Sequence, residues 1–292
     1  MFSRIMMTPL VVALLIAISV RQAGAQQPVS LGAQQANPSG WIFNIAPYLW
    51  MPTLKMTSNL NLPPRLGGTV STGTSLDFGD IVSHLNSALM VSGDVRYDSY
   101  SILTDFMYMN LGGAATHLKT ANFTGLPRIQ ISRESQRHVG VNTNAKIWTL
   151  AGGYTVVQGD WGNFDVLAGF RFLQMPVSID YSLGVTITGP RGNGATFGGD
   201  GSVSGTAALW NGIGGFRGRI RLADTGLFIP YYFDAGTGGS QFTWQISSGL
   251  GYHMNWGDVS LTWRYLSFEQ KSSAVLQHLS INGPLLMANF SF

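Results

Sequence analysis

The sequence predicts an all-β chain folded as a transmembrane, antiparallel up-and-down β-barrel of about ten strands, with eight or twelve as the neighbouring even counts. Three observations lead there. Segment after segment alternates apolar with polar residues at period two. No apolar run beyond residue 25 approaches the ~18 residues that suggest a spanning helix. The composition is poor in charge (11%) yet holds 37 glycines and 12% aromatic residues, where an ordinary soluble domain has about 25% charged residues.

The chain opens on a segment that reads as a signal peptide, residues 1–25. Arg4 supplies the positive start, Ile5 to Val20 an apolar stretch broken by Thr8, Pro9 and Ser19, and Ala23-Gly24-Ala25 a small-x-small cleavage site. Residues 26–40 are polar, contain Gly and Pro and lack periodicity, so a flexible periplasmic lead is expected before a barrel domain spanning 41–292. The whole chain has a formal net charge of +3. Removing Arg4 and Arg21 with the signal leaves 15 basic against 14 acidic residues, a balance that does not suit a nucleic-acid partner. Cysteine is absent, which excludes disulfides, thiol nucleophiles and Cys-ligated metal.

The clearest strand is 241–256. Phe242, Trp244, Ile246, Ser248, Leu250, Tyr252, Met254 and Trp256 fall on one face; Gln241, Thr243, Gln245, Ser247, Gly249, Gly251, His253 and Asn255 fall on the other. Segment 258–266 repeats the pattern with Val259, Leu261, Trp263 and Tyr265 opposed to Asp258, Ser260, Thr262 and Arg264. The apolar face carries aromatics at strand ends, as at a lipid interface, and the polar face is small and Gly-rich, as in a filled lumen. Further strands are read at 41–50, 88–97, 100–111, 143–157, 163–175, 206–222, 226–236 and 279–292.

Tight junctions at Asp98-Ser99, Gly159 to Asn163, Ala223 to Gly226 and Trp256-Gly257-Asp258 alternate with mostly longer ones at 51–87, 112–142, 176–205, 237–240 and 267–278. Short turns facing the periplasm and long loops facing outward fit this alternation, and an even strand count returns both ends to the periplasm. Alternation persists through Val177, Ile179, Tyr181, Leu183, Val185 and Ile187, which predicts a hairpin arm beyond the membrane with its tip at 189–194. Within the first loop, Asp80 to Asn86 suits a short helical turn, either packed on the rim or inserted into the lumen.

The alternation also sorts the charges. It turns Asp94, Arg96, Asp105, Asp165, Arg171, Arg217, Arg219, Arg221, Asp234, Asp258 and Arg264 inward; the opposite register would put each Arg in lipid at roughly 2–4 kcal/mol near the midplane. Around Asp98-Ser99, Asp105 should lie opposite Ser92, one step from Asp94, so that both carboxylates bridge to arginines of neighbouring strands. A lumen charge network of Asp94, Arg96, Asp105, Asp165, Arg171, Arg217, Asp234 and Arg264 is expected. Turn distances place Arg171, Arg217, Arg264, Asp105 and Asp234 nearest mid-height. Three bases against two acids there would favour anions in any residual leak. At the end of the chain Leu286, Ala288, Phe290 and Phe292 share one face. A closing aromatic on an amphipathic strand resembles the signal read by the machinery that assembles outer-membrane barrels, with Leu286, Phe290 and Phe292 as its residues.

Taken together these residues resemble a family of proteobacterial outer-membrane barrel proteins, mostly of unassigned function. The likeness runs through Pro47-Tyr48-Leu49-Trp50, the Asp80…Leu85-Asn86…Met90 stretch, Asp94-Val95-Arg96 and Asp105-Phe106-Met107-Tyr108. It continues through Gly169-Phe170-Arg171-Phe172, Thr243-Trp244-Gln245…Gly251-Tyr252, Trp263-Arg264-Tyr265-Leu266 and Asn282-Gly283-Pro284…Phe290-Ser291-Phe292. The resemblance implies an outer-membrane location and a barrel, and brings no activity. The chain departs from the family pattern at Asn211, where aspartate is common, and this removes the basis for an ion pair there.

Two further functions are weighed against a narrow pore or structural and surface component. One is a hydrolase at the barrel rim, the other ligand or surface binding through the outer loops. Of the histidines, only His253 falls in a clear strand, while His117, His138 and His278 fall in expected outer loops; none has metal-ligand spacing, and no Ser sits in a nucleophile motif. No enzyme activity, cofactor or metal is therefore expected. The partners expected are outer-membrane lipid, lipopolysaccharide and the assembly machinery; the oligomeric state stays open. If the N-terminal reading is right, terminal sequencing of protein purified from outer membranes returns Gln26 first; an intact Met1 start would refute it.

Overall fold

A computed structural model of the chain describes residues 40–61, 69–115, 140–188, 194–223, 225–271 and 276–292. The expected signal peptide and nearly all of the lead lie outside the described residues, as do His117, His138 and the arm's tip at 189–193. Twelve strands and one short helix are present. In order they are β1 (Trp41–Trp50), β2 (Thr53–Asn61), β3 (Thr69–Leu76), α1 (Phe78–Ser83), β4 (Leu85–Tyr97), β5 (Tyr100–Ala115) and β6 (Gly140–Gly159). Then come β7 (Gly162–Thr188), β8 (Gly194–Arg221), β9 (Leu227–Gly238), β10 (Phe242–Met254), β11 (Gly257–Glu269) and β12 (Leu276–Ser291).

Ten of these close into an antiparallel barrel. β4 to β12 pair in sequence order, and β1 pairs with both β4 and β12. Closure satisfies the backbone of both edges, a condition that hydrocarbon imposes on any sheet crossing it. The closing ladder ends on a reciprocal pair, Phe43 N–H to Phe292 O (3.1 Å) and Phe292 N–H to Phe43 O (2.8 Å). Both ends of the described barrel therefore sit at the end bearing the short turns, at Asp98-Ser99, Asp160-Trp161, Leu222 to Gly226 and Asn255-Trp256. The last turn lies one residue earlier than the spacing indicated, because Gly257 already pairs with Met254. Gly257 (φ +150°) and Gly162 (φ +142°) hold conformations that side chains rarely adopt. A Cβ there would stand 1.9 Å from Asn289 O and Arg219 O respectively, so only glycine fits.

At the opposite end, the loop end, β7 and β8 pair without interruption from Gly162↔Ile220 to Thr188↔Gly194, which makes the arm one continuous ladder. The 237–240 junction is tight, with Gly238 N–H bonded to Ser240 O at 3.0 Å. The largest departure from the sequence reading is at 51–87. In place of a loop with one helical turn, β2 and β3 form a hairpin, and the helix starts at Phe78, two residues earlier than expected. Asp77 caps it: its carboxylate accepts from Asp80 N–H (2.9 Å), and Asp80 returns the bond to Asp77 N–H (3.2 Å). β2 continues β1 along β12 in the same register, from Trp50↔Leu285 to Thr53↔Asn282, with only Met51-Pro52 between them. His278, expected in a loop, lies in β12 opposite Thr57.

Outward register positions form an apolar band. Trp41, Phe43, Ile45 and Leu49 on β1, Ile102 on β5, Leu250 on β10, Leu261 and Trp263 on β11 and Leu286 on β12 are all exposed. At the turn end stand Tyr97, Tyr100, Tyr154, Trp161, Tyr252, Trp256 and Phe292. Higher up, Trp148, Phe170, Phe172 and Trp210 pack in T-shaped and tilted contacts across β6, β7 and β8, with centroids 4.5–5.2 Å apart. Between these two aromatic levels the outward positions carry no Asp, Glu, Lys or Arg. Lys146 lies beside Tyr108 in the register, at the upper level. Among the described residues no helix is long and apolar enough to cross a membrane, which says nothing of a barrel.

Candidate functional site

The inward face divides into three layers. Nearest the turns, Arg96 on β4 donates to Asp165 on β7 (2.6 Å) and to Thr155 (2.8 Å), while Thr155 and Asn163 also donate to Asp165. Arg217 on β8 reaches Asp94 on β4 (2.6 Å) and Ser101 (3.0 Å), with its Nε 3.5 Å from Asp165. Arg219 on β8 meets Asp258 on β11 at 3.1 Å, and the other oxygen of Asp258 lies 2.7 Å from His253 Nδ1. Arg217 and Asp94 keep partial contact with solvent, each 18% exposed, while Asp165 and Asp258 are buried.

The middle layer is nearly dry. Arg171 on β7 makes a bidentate pair with Asp234 on β9, both fully buried, with one bond at 2.9 Å and its Nε donating to Thr149 (3.2 Å). Arg264 on β11 donates to Asp105 on β5 (2.9 Å), and Tyr48 O–H donates to the other oxygen of Asp105 (2.7 Å). Gln245 Oε1 accepts from both Arg264 (2.8 Å) and Arg171 (3.3 Å), which joins the two pairs into one cross-section. The Arg264 guanidinium also lies 4.8 Å from the Trp50 ring centroid, within cation–π range. Asn211, across from Arg171 in the ladder, makes no ion pair. Its Oδ1 accepts from Ser240 N–H (2.7 Å), and its buried Nδ2 has no partner.

Each of the eight residues expected in the lumen lies in an ion pair, and Asp94 and Asp105 find partners other than those the sequence suggested. Asp94 and Asp105 were assigned to arginines of neighbouring strands. The five shortest arginine–aspartate pairs among the described residues instead join strands two to four positions apart around the ring, and of the arginine–aspartate contacts only the 3.5 Å Arg217–Asp165 approach joins neighbours. In a ring this small the opposite wall is within reach of a guanidinium, and alternation along one strand says nothing of what faces it. The mid-height excess of base also disappears, because Arg217 binds Asp94 and Asp165 nearer the turns.

Above the middle layer the interior turns apolar, and the sequence reading missed this. Trp50, Met107, Met109, Leu111, Ile147, Leu173, Met175, Leu266, Phe268 and Ile281 are buried together there. The β2–β3 hairpin adds Leu54, Met56 and Leu76, and α1 adds Ile81, its one buried residue. A signal was present. Inward positions switch from polar to apolar part-way along each strand: Asp105 to Met107 on β5, Arg171 to Leu173 on β7, Arg264 to Leu266 on β11. On β5 both faces are apolar above the switch (Phe106-Met107-Tyr108-Met109), so the alternation that marks an inward face vanishes.

At the exposed end of α1, Ser83 Oγ lies 2.9 Å from His84 Nδ1. Among the described residues, His253 has Asp258 beside it but no hydroxyl bonded to its ring, and no group of three His, Cys, Asp or Glu is placed to hold a metal. Leu286 and Phe292 point outward at the closing strand, and Phe290 stacks on Trp256 at 5.0 Å.

No protein-family model and no curated protein matches the chain. Among solved structures it is similar to the P. putida toluene transporter TodX, at 6% identity over 87% of this chain and 90% of that one, with a TM-score of 0.33. The translocator domain of the autotransporter NalP from Neisseria meningitidis gives 14%, 88% and 90%, with a TM-score of 0.33. Acinetobacter baumannii OccAB3 gives 8%, 86% and 99%, with a TM-score of 0.24. Scores this low carry nothing about what this chain binds or moves, and the barrel rests on the ladders described above.

The fully buried pair gives a direct test. Arg171→Met leaves Asp234 charged and uncompensated, and destabilises the refolded barrel by about 3–5 kcal/mol. Adding Asp234→Leu restores part of that loss, so in urea unfolding the double variant is more stable than Arg171→Met alone. A double variant that falls by the sum of the single losses would show that the pair is not coupled.

Proposed function

We propose that the chain is an integral protein of the Gram-negative outer membrane, a narrow pore-like or structural barrel whose interior is closed by paired charge. The observation that carries this is the sidedness of the wall. Outward positions between the two aromatic levels are free of charge, while five arginine–aspartate pairs lie inside. A soluble barrel has no reason to expose Leu261, Trp263 and Ile102 at more than half of their surface while placing its ions at the core. In lipid that arrangement is required.

In this reading the short turns face the periplasm, the arm and the β2–β3 hairpin face outward, and lipid and lipopolysaccharide surround the band. Leu286, Phe290 and Phe292 then serve as the signal read by the assembly machinery. Deleting Phe292 lowers the yield of folded barrel, seen as loss of the faster-migrating band of unboiled protein in gel electrophoresis. Unchanged yield at ordinary expression would remove the signal assignment.

The interior is plugged twice, by the ion-paired layer and by the apolar layer above it. A ten-stranded barrel is small enough for side chains to fill. Wild-type protein in planar bilayers accordingly shows no large steady conductance, and with the inward pairs balanced it shows no strong preference between small cations and anions. A large, strongly selective conductance would overturn the double plug.

A further inference from the structure

The barrel wall is not uniformly sealed. β1 and β4 pair from Trp41↔Tyr97 up to Pro47↔Val91 and then part. β4 nevertheless continues to Leu85 with its other edge paired to β5, and β1 runs on to Trp50 with its other edge on β12. β2, the continuation of β1, turns the edge that faced β4 toward β3 instead. Across the gap the described contact is Trp50 N–H to the Met90 thioether, at 3.4 Å. Thioether sulfur is a weak acceptor compared with a carbonyl.

Both sides of this seam are apolar. Outside, Leu49 and Leu89 are exposed at 53% and 54%, and Leu89 sits opposite Tyr108, level with the upper aromatics. Inside lies the apolar layer, in which Met56, Met107, Met109 and Met175 are buried, with Met90 and Met287 packed against them. Methionine is unbranched and polarisable, and it repacks around a guest more readily than a branched side chain does. Below, the Arg264–Asp105–Tyr48 group closes the layer toward the turns.

We propose that this methionine-lined layer is a binding chamber for small uncharged apolar molecules, and that they enter and leave sideways, between β1 and β4, from the outer leaflet. The inference rests on the outer-membrane reading, which places the seam in lipid. The chemistry fixes the guest. A charged or strongly polar solute would be desolvated in a layer that offers it no partner, whereas an apolar one passes from hydrocarbon into an apolar interior without crossing water. The vertical route toward the turns remains shut by the ion pairs.

The test uses refolded full-length mature protein in detergent, shown beforehand to be a folded, heat-modifiable barrel, so that failure to form a barrel is seen separately from failure to bind. Methionine methyls are labelled with carbon-13 and naphthalene is the probe. Ring-current shifts should saturate at Met56, Met90, Met107 and Met109, while Met254, at the turn end, stays unmoved. No saturable shift, or equal non-saturating shifts at Met254, would overturn the chamber. The seam is tested separately in Leu49→Cys/Leu89→Cys, a clean pair in a chain without cysteine, joined by oxidation or by a short bismaleimide. Joined protein should reach the same shifts with exchange slowed about tenfold, the response of a hindered route at unchanged affinity, whereas exchange unchanged from the unjoined variant would overturn the sideways route.

Discussion

In the outer-membrane reading, hydrocarbon on the outside of the closed sheet allows no charge there, and the rest of the structure follows from where the charges then have to go. The interior of ten strands is too small to hydrate them individually, and an unpaired buried charge costs several kcal/mol. Pairing is the remaining solution, and the pairs run across the ring: Asp94 to Arg217, Asp105 to Arg264, Arg96 to Asp165. Such a pair forms only when the strands carrying it have been brought into one closed wall. The ion pairs therefore favour the closed barrel over any partly paired sheet, in which several of the same charges would stand unpaired. Gln245, accepting from two arginines at once, ties the Arg171–Asp234 and Arg264–Asp105 pairs into a single unit.

The upper interior obeys a different rule. There the inward side chains form a core like that of a soluble domain, with Leu173, Leu266 and Phe268 fully buried. The first strand makes this possible. Running past the rim as β2, it keeps its register on β12 and turns Leu54 and Met56 to the inner side. β3 returns antiparallel with Leu76 beside Leu54, and α1 drops Ile81 onto the cluster. One segment of about thirty residues, which looks like a loop by its length, thus caps the barrel from within its own wall.

Much of this was legible in the sequence. Period two, read along β10 and β11, separates outward Trp244, Leu250 and Trp263 from inward Gln245, Ser247 and Arg264, because the pleat enforces it. Turn positions followed from glycine and short polar spacers. The pairing of charges across the ring was not legible, since it depends on closure and stagger rather than on any one strand. The β2–β3 hairpin was hidden for another reason. Pro52 breaks the strand, and Leu54 and Met56 offer only a short alternating run before the prolines at 63 and 64. His278 was misread as a loop residue because β12 starts at Leu276, where Gln277 and His278 interrupt the apolar face.

Magnitudes decide between the two routes through such a barrel. A solute moving along the axis must part the Arg171–Asp234 or Arg264–Asp105 pair, and separating a buried pair costs about 3–5 kcal/mol. An axial opening is then populated below about 1% of the time. A solute moving sideways meets no ion pair and no ladder above Pro47↔Val91. It displaces Met90 and neighbouring thioethers, which are unbranched and rearrange readily. The difference between the routes favours the sideways one. It arises because the wall is weakest where its neighbours are apolar and the axis is strongest where its neighbours are charged. In this proposal the barrel is tight to water and ions along its length and permeable, on one side and in one leaflet, to molecules that resemble the lipid around it.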